Sequence, residues 1–196
     1  MKKTIKVITG GIGSGKSFVC EMLKKYGIMV YDCDAHAKRL MQTSAEIKAA
    51  LTKLIGKDTY CDGVLNKAVV AKFLLENEHN TELINNIVHP AVGKDFLQSQ
   101  YTWLESAIFF EAHFSRQLTV DTYTICVSAP LETRIARIMQ RDKISREKAL
   151  EWIEKQMSQE EKERQSDFII INDGKNDITP QLDNLLHHLQ YVLDTH

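Results

Sequence analysis

The chain opens on a short β-branched run, Ile5-Lys6-Val7-Ile8-Thr9, which stops at two glycines. Runs of this kind, bounded by glycine, predict strands. From Ser17 to Tyr26 the spacing changes. Phe18, Val19, Met22, Leu23 and Tyr26 recur on one helical face, and Gly27 supplies a C-terminal stop. Ile28-Met29-Val30-Tyr31 returns to a strand pattern and ends in Asp32-Cys33-Asp34. Strand, helix and strand in about 30 residues make a βαβ unit, which implies a right-handed crossover and a parallel sheet.

Residues 35–104 read differently. They are mostly helical, with start signals at Ser44, Asn66 and Asn80. Cys61-Asp62-Gly63 marks a turn, and His89-Pro90 is expected to open a further helix. Strand patterns resume at Ser106–Phe110, Thr122–Ser128 and Phe168–Ile171. Such continuous apolar runs suit strands covered by helices on both faces. The prediction is an α/β fold on a five-stranded parallel sheet, with residues 35–104 as an inserted helical region. Between the fourth and fifth strands, residues 134–165 are helical and dense in mixed charge, and Ser158 and Glu161 have capping-box spacing. Thr179-Pro180 starts a last helix with the apolar stripe Leu182, Leu185, Leu186, Leu189 and Leu193.

Composition narrows the picture. The 196 residues suit one globular domain with an insertion. Twenty-five basic residues against 26 acidic ones leave a net charge of -1. A chain that grips nucleic acid or an anionic membrane by bulk charge needs a basic excess, so neither partner is expected. There is no signal-type apolar segment and no stretch near the ~20 apolar residues of a membrane span, so a cytoplasmic location is expected. Cys20, Cys33, Cys61 and Cys126 show no C-x-x-C spacing. No zinc or redox pair is expected of them. His187 and His188 are adjacent on a helix and point about 100° apart, which suits no metal.

Gly10-Gly11-Ile12-Gly13-Ser14-Gly15-Lys16-Ser17 matches G-x-x-x-x-G-K-[ST], with a strand before it and a helix after it. Glycines let successive N–H groups turn inward around a phosphate, and the helix offers its positive end to the same anion. Lys16 would reach the β- and γ-phosphates of a nucleotide, and the Ser17 hydroxyl would bind Mg²⁺. Position 18 is Phe where many such loops carry a second hydroxyl, which leaves only its N–H for phosphate. Asp32 and Asp34, two apart at a strand's end, are expected to share one face. One would hold Mg²⁺ through water and the other would accept a hydrogen bond from an attacking hydroxyl. Arg134, Arg137 and Arg141 fall at i, i+3 and i+7, so one helix face can carry three cations toward a transferring phosphoryl group. His89 is a candidate polar group near a second substrate.

Taken together these residues resemble the dephospho-CoA kinase family nearly end to end. The likeness rests on Thr9 to Ser17, Asp32-x-Asp34-x-x-Ala37, Asp62-Gly63-x-Leu65, His89-Pro90 and Phe109-Phe110-Glu111. It continues through Arg137-x-x-x-Arg141, Gln156, and Ser166-Asp167-Phe168-Ile169-Ile170-x-Asn172. The resemblance implies a P-loop kinase core (1–34, 105–133, 166–196), a helical region for the CoA precursor (35–104) and a helical lid (134–165). It implies transfer of the ATP γ-phosphoryl to the ribose 3′-hydroxyl of dephospho-CoA, with Mg²⁺ and no obligate protein partner. By likeness Asp34 orients or deprotonates the hydroxyl, with Lys16 and Arg141 completing the catalytic set, and Asp32 joins Ser17 on the metal. ATP would meet Gly11, Ile12, Gly13, Ser14, Gly15, Lys16, Ser17, Phe18, Arg137 and Asn172. The acceptor would meet Asp34, Lys67, His89 and Glu111. Lys67 stands where the family often has Arg, which replaces a planar fork with a point charge. Trp152 stands where a lid Arg is frequent.

Two other readings fit the residues less well. A shikimate- or nucleoside-monophosphate-kinase relative shares the loop but leaves His89-Pro90 and Asp62-Gly63-x-Leu65 without a purpose. A GTPase-like switch needs N-K-x-D, and Asn66-Lys67-Ala68-Val69 lacks the aspartate.

Overall fold

A computed structural model describes residues 4–77, 79–112, 114, 118 and 120–194, the last four by backbone alone. Its contacts divide into two units. One comprises Met1–Tyr31, Tyr101–Ser115 and Thr119–His196, and the other chiefly Asp32–Gln100.

The first unit carries β1 (Ile5–Thr9), α1 (Lys16–Lys24), β2 (Val30–Asp32), β5 (Trp103–Glu105), β6 (Thr122–Ser128) and β7 (Phe168–Ile171). These strands form one sheet in the order β2-β5-β1-β6-β7. β1 pairs parallel to β5 and β6, and β6 pairs parallel to β7. The sheet has the expected number of strands, four of them overlapping the segments the sequence predicts. Ile8, Ile125, Val127 and Ile170 are fully buried in one core cluster with Val19 and Leu23 of α1. Leu182, Leu185 and Leu189 of the last helix, α9 (Ile178–Asp194), close the same cluster. The side chain of Leu193 lies outside the described residues. The buried stripe of α1 is narrower than expected, since Phe18 is 56% exposed and Tyr26 38%.

The third strand corrects the sequence reading. It is Trp103–Glu105, not Ser106–Phe110. Register explains the shift. Lys6, Val7 and Ile8 pair with Trp103, Leu104 and Glu105, and Ser106 N–H still donates to the Ile8 carbonyl. Beyond that point β1 turns into its glycine loop, so a strand at 107–110 would have no ladder partner there. The apolar residues pack all the same: Phe109 is 2% exposed, with ring centroids of Phe110 and Phe114 at 5.5 and 6.3 Å.

After β6 come α6 (Leu131–Asp142), α7 (Arg146–Glu154) and α8 (Gln159–Arg164). Ser145 and Ser158 cap α7 and α8 by accepting from Lys148 and Glu161 N–H. This segment, expected as the lid, folds in the same unit as the sheet.

The second unit holds α2 (Cys33–Thr43), α3 (Ala45–Ile55), α4 (Lys67–Glu76) and α5 (His79–Gln98). Ser44 and Asn66 cap α3 and α4 as their positions suggested. Cys61-Asp62-Gly63 lies in a small hairpin of β3 (Tyr60–Cys61) and β4 (Val64–Leu65). Asp62 and Gly63 have φ of 49° and 78°, the two positive values a tight I′ turn needs. His89-Pro90 does not open a helix; α5 runs straight through Pro90. Ile84, Val88, Val92 and Phe96, spaced by four, are all buried along it. Packing of that stripe outweighs the one backbone bond that proline cannot make.

Candidate active site

The glycine loop sits between the end of β1 and the start of α1, as its sequence requires. Gly15 caps α1 in the left-handed region at φ 93°. Gly13, at φ 81°, passes so close to α6 that an added Cβ would lie 2.7 Å from the Arg134 carbonyl. Neither position accepts another residue without strain. The N–H groups of Lys16, Ser17 and Phe18 head the helix and lack intrahelical acceptors by construction.

Arg134 and Arg137 bind this loop, and Arg141 lines the cavity beside it. Arg134 is 3% exposed, its Nε donating to the Ile12 carbonyl at 2.9 Å. Burial lowers its pKa, with Glu160 opposing. Arg137 Nη1 donates to the Ser14 carbonyl at 3.2 Å, and its Nη2 to Asn172 Oδ1 at 3.4 Å. Arg141 is the most exposed of the three and is paired with Asp142 at 2.8 Å. Arg137 and Arg141 line a cavity of about 510 Å³ together with Gly13, Gly15, Lys16 and Ser17. Asn172 extends its Nδ2 to the Ser14 carbonyl at 2.9 Å, which braces the loop from β7.

One acid was missed in the sequence. Glu105 ends β5 beside β1, and its Oε1 lies 3.8 Å from Lys16 Nζ. Misplacing the strand hid it, because Glu105 then stood before the strand and not at its carboxyl end.

Glu111 is held in an unexpected way. Its Oε1 accepts from Lys162 Nζ at 2.6 Å and from Met157 N–H at 3.0 Å. Lys162 is fully buried and also donates to the Ala107 carbonyl at 2.6 Å. Glu111 Oε2 is buried without a hydrogen-bond partner.

In the helical unit Asp32 and Asp34 do not share a strand face, which corrects the expected period-two geometry. Asp32 is the N-cap of α2, its Oδ1 accepting from Ala35 N–H at 2.8 Å. The chain turns helical at Cys33 because this cap is available, so Asp34 lies in the first turn of α2. Both carboxylates therefore stand at a positive helix end. His89 of α5 is close enough to feel the Asp34 charge. Burial pushes its pKa below the ordinary histidine value, and Asp34 partly offsets this. Lys67 is exposed at the start of α4. A separate cavity of about 470 Å³ lies against Ala91, Lys94 and Gln98 of α5. At 100° per residue His89 points to another face of that helix.

No helix among the described residues is long and apolar enough to cross a membrane.

Residues 4–177 match the family model described as Dephospho-CoA kinase. A Bacteroides fragilis protein named dephospho-CoA kinase is 38% identical over 189 residues, covering 93% of this chain and 91% of its own length. A crystal structure from Thermus thermophilus is 29% identical, with a TM-score of 0.75 over 100% of this chain and 98% of the other. A dephospho-CoA kinase structure from Campylobacter jejuni shares the fold at 23% identity, with a TM-score of 0.64 and 98% of each chain covered.

Proposed function

This chain belongs to the dephospho-CoA kinase family and catalyses the ATP-dependent phosphorylation of dephospho-CoA in coenzyme A biosynthesis, and on that premise we propose how its residues divide the work. The observation that carries the reading is the cavity shared by Lys16, Ser17, Arg137 and Arg141. Glycine-loop N–H groups from Gly13 to Phe18 hold the phosphates. Lys16 sits on the β- and γ-oxygens. Arg141, the most exposed of the three arginines, meets the charge that spreads over the equatorial oxygens as the phosphoryl group transfers. Arg137 and Asn172 keep the loop in shape on the nucleotide side.

The acceptor side belongs to the helical unit. Asp34 accepts the hydrogen bond of the ribose 3′-hydroxyl. The hydroxyl oxygen forms the new P–O bond, the bond to the ADP oxygen breaks, and the proton passes to Asp34 late in the step. His89, kept mainly neutral by burial, orients the same sugar, and Lys67 reaches an anionic part of dephospho-CoA as a point charge. Glu111 has one oxygen committed to Lys162, so its contribution to acceptor binding is through the shape of that segment.

The donor set suits Mg²⁺. The Ser17 hydroxyl and the Glu105 and Asp32 carboxylates are hard oxygen groups, and no thiol is among them. When bound, Mg²⁺ neutralises charge on the β- and γ-phosphates. Ser17 would hold it directly, with Asp32 through water and Glu105 as a second acid.

The test is a comparison of initial rates with ATP and four acceptors. Dephospho-CoA should exceed AMP, adenosine and shikimate in kcat/KM by orders of magnitude. A higher value with AMP or shikimate overturns the assignment.

A further inference from the structure

Three successive peptide groups of the loop, Gly10–Gly11, Gly11–Ile12 and Ile12–Gly13, are each gripped by a side chain. Gly11 N–H donates to Gln159 Oε1 at 3.0 Å, and Ile12 N–H donates to Gln156 Oε1 at 2.8 Å. The Ile12 carbonyl accepts from Arg134 Nε at 2.9 Å. Both glutamines belong to the turn and first residue that join α7 to α8, more than 140 positions away in sequence. An added Cβ at Gly11 would run into the Arg134 guanidinium and lie 3.0 Å from Gln159 Oε1, so a larger residue there would push the gripping side chains aside.

The Gln159 carboxamide is fixed at its other end as well. Its Nε2 lies 3.3 Å from the Val127 carbonyl, 3.1 Å from Glu163 Oε1 and 3.2 Å from Cys126 Sγ. Glu163 in turn accepts from the Ser128 hydroxyl at the end of β6. Burial pushes the Cys126 thiol up to about 11, so it stays protonated beside this carboxamide and adds no charge. The amide orientation follows from the network: an oxygen toward Gly11 N–H and a nitrogen toward three acceptors. Helix α8 is itself pinned by fully buried Lys162.

We infer that Gln156 and Gln159 are positioning residues for phosphoryl transfer, which fix the leading half of the phosphate loop by satisfying the N–H groups of Gly11 and Ile12. The trailing half is organised by α1. The leading half has no helix to align it, and its two outward N–H groups would be orphaned donors at the rim of the site. Preorganised dipoles stabilise a transition state only if they are already aimed, and errors near 0.5 Å matter. The glutamines supply that rigidity from the α7–α8 turn, so the geometry of the turn is transmitted to the loop that holds ATP. This rests on the kinase reading given above and adds two residues to it, neither of which touches the reacting atoms.

The experiment uses the full chain. Gln156→Met keeps size and removes the acceptor. Because Gln156 is only half-buried, the variant should fold. Backbone amide exchange, followed residue by residue, should speed up at Ile12 by at least tenfold and stay unchanged in β6 and α9. Gln156→Glu, which keeps an acceptor oxygen, should restore Ile12 protection. With ATP and dephospho-CoA, Gln156→Met should lower kcat about tenfold and leave KM for dephospho-CoA within twofold. Gln159→Leu should expose Gly11 to exchange in the same way. Unchanged exchange at Ile12 in Gln156→Met, or kcat within twofold of the parent, overturns the inference. Failure of the parent chain to phosphorylate dephospho-CoA at all would strike the kinase reading and leave the exchange result standing as a statement about the loop.

Discussion

Lys16 Nζ lies 3.8 Å from Glu105 Oε1, with the two side chains 10% and 13% exposed. Glu105 ends β5 opposite Ile8 of β1, two residues before the glycine loop begins. A nearly buried ammonium and carboxylate at neighbouring strand ends leave each other exposed to a desolvation penalty if one is removed. Lys16→Ala should abolish phosphoryl transfer, by 10³-fold or more on the order expected for loss of a main charge on the transferring group. It should also cost up to about 3 kcal/mol of stability, because Glu105 loses this cation. Lys16→Ala/Glu105→Gln should regain the thermal midpoint and not the activity. Normal turnover in the single variant, or no difference in midpoint between single and double, contradicts the pairing.

Asp32 and Asp34 are separable because only one of them is a cap. Asn is as good an N-cap as Asp, so Asp32→Asn keeps α2 while removing a charge. It should raise the Mg²⁺ concentration needed for half-maximal rate. Asp34→Asn should lower kcat by roughly 10²–10⁴-fold with ATP affinity little changed. Mg²⁺ titrations of initial rate on both variants decide it. Reversed phenotypes would exchange the roles, and a few-fold loss in both would reduce the pair to helix-end residues.

The Lys162–Glu111 pair ties α8 to the segment after β5. Lys162→Met should destabilise the chain by about 3–5 kcal/mol, since a carboxylate held by a fully buried ammonium is left without it. Lys162→Met/Glu111→Gln should recover most of that. The denaturation midpoint in urea at constant m-value is the measurement. A loss under about 1 kcal/mol for the single variant would mean that the pair is not what holds α8.

His89 makes an acid-side prediction. Its folded pKa lies below its unfolded value because burial disfavours the charged ring. The unfolded chain therefore takes up the proton first as pH falls below the ordinary histidine range. Stability is highest above that range and declines as pH drops toward the folded pKa, by at most about 1.4 kcal/mol per pH unit and less for a ring that is only partly buried. His89→Gln should flatten this decline between pH 7.5 and 5.5. Identical thermal midpoint profiles for the two proteins would remove His89 from the account.

The glycine loop, the βαβ opening and the helix starts at Ser44 and Asn66 were legible because each is a local matter. Left-handed glycines, a lysine in the first helical turn and a side-chain cap need only neighbours within a few residues. The helical spacing of Arg134, Arg137 and Arg141 was equally readable, and all three reach the loop or its cavity. The pairing of Thr124 with Asp167, whose Oδ2 accepts both N–H and hydroxyl at 2.7 Å, explains Asp167 of the Ser166-Asp167 motif as a brace between β6 and β7. Nothing in the local pattern could supply that.

What the sequence determined on its own is therefore the glycine loop between its strand and helix, and most of the elements, because both follow from backbone conformation and short periodicities. Tertiary structure decided where those elements stop and what the polar groups between them do. Ser106–Phe110 has every mark of a strand, yet the ladder ends where β1 ends, so Glu105 became the strand's last residue. Pro90 has every mark of a helix start, yet a stripe of four buried residues carries α5 through it. Asp34 has the spacing of a strand end, yet it lies in a helix because Asp32 caps it. Gln156 and Gln159 look like surface residues in a charged segment, and only the folded chain brings their carboxamides to Ile12 and Gly11. Strand length, helix continuity and side-chain acceptors all depend on partners distant in sequence, and the free energy that selects them appears only when those partners are packed together.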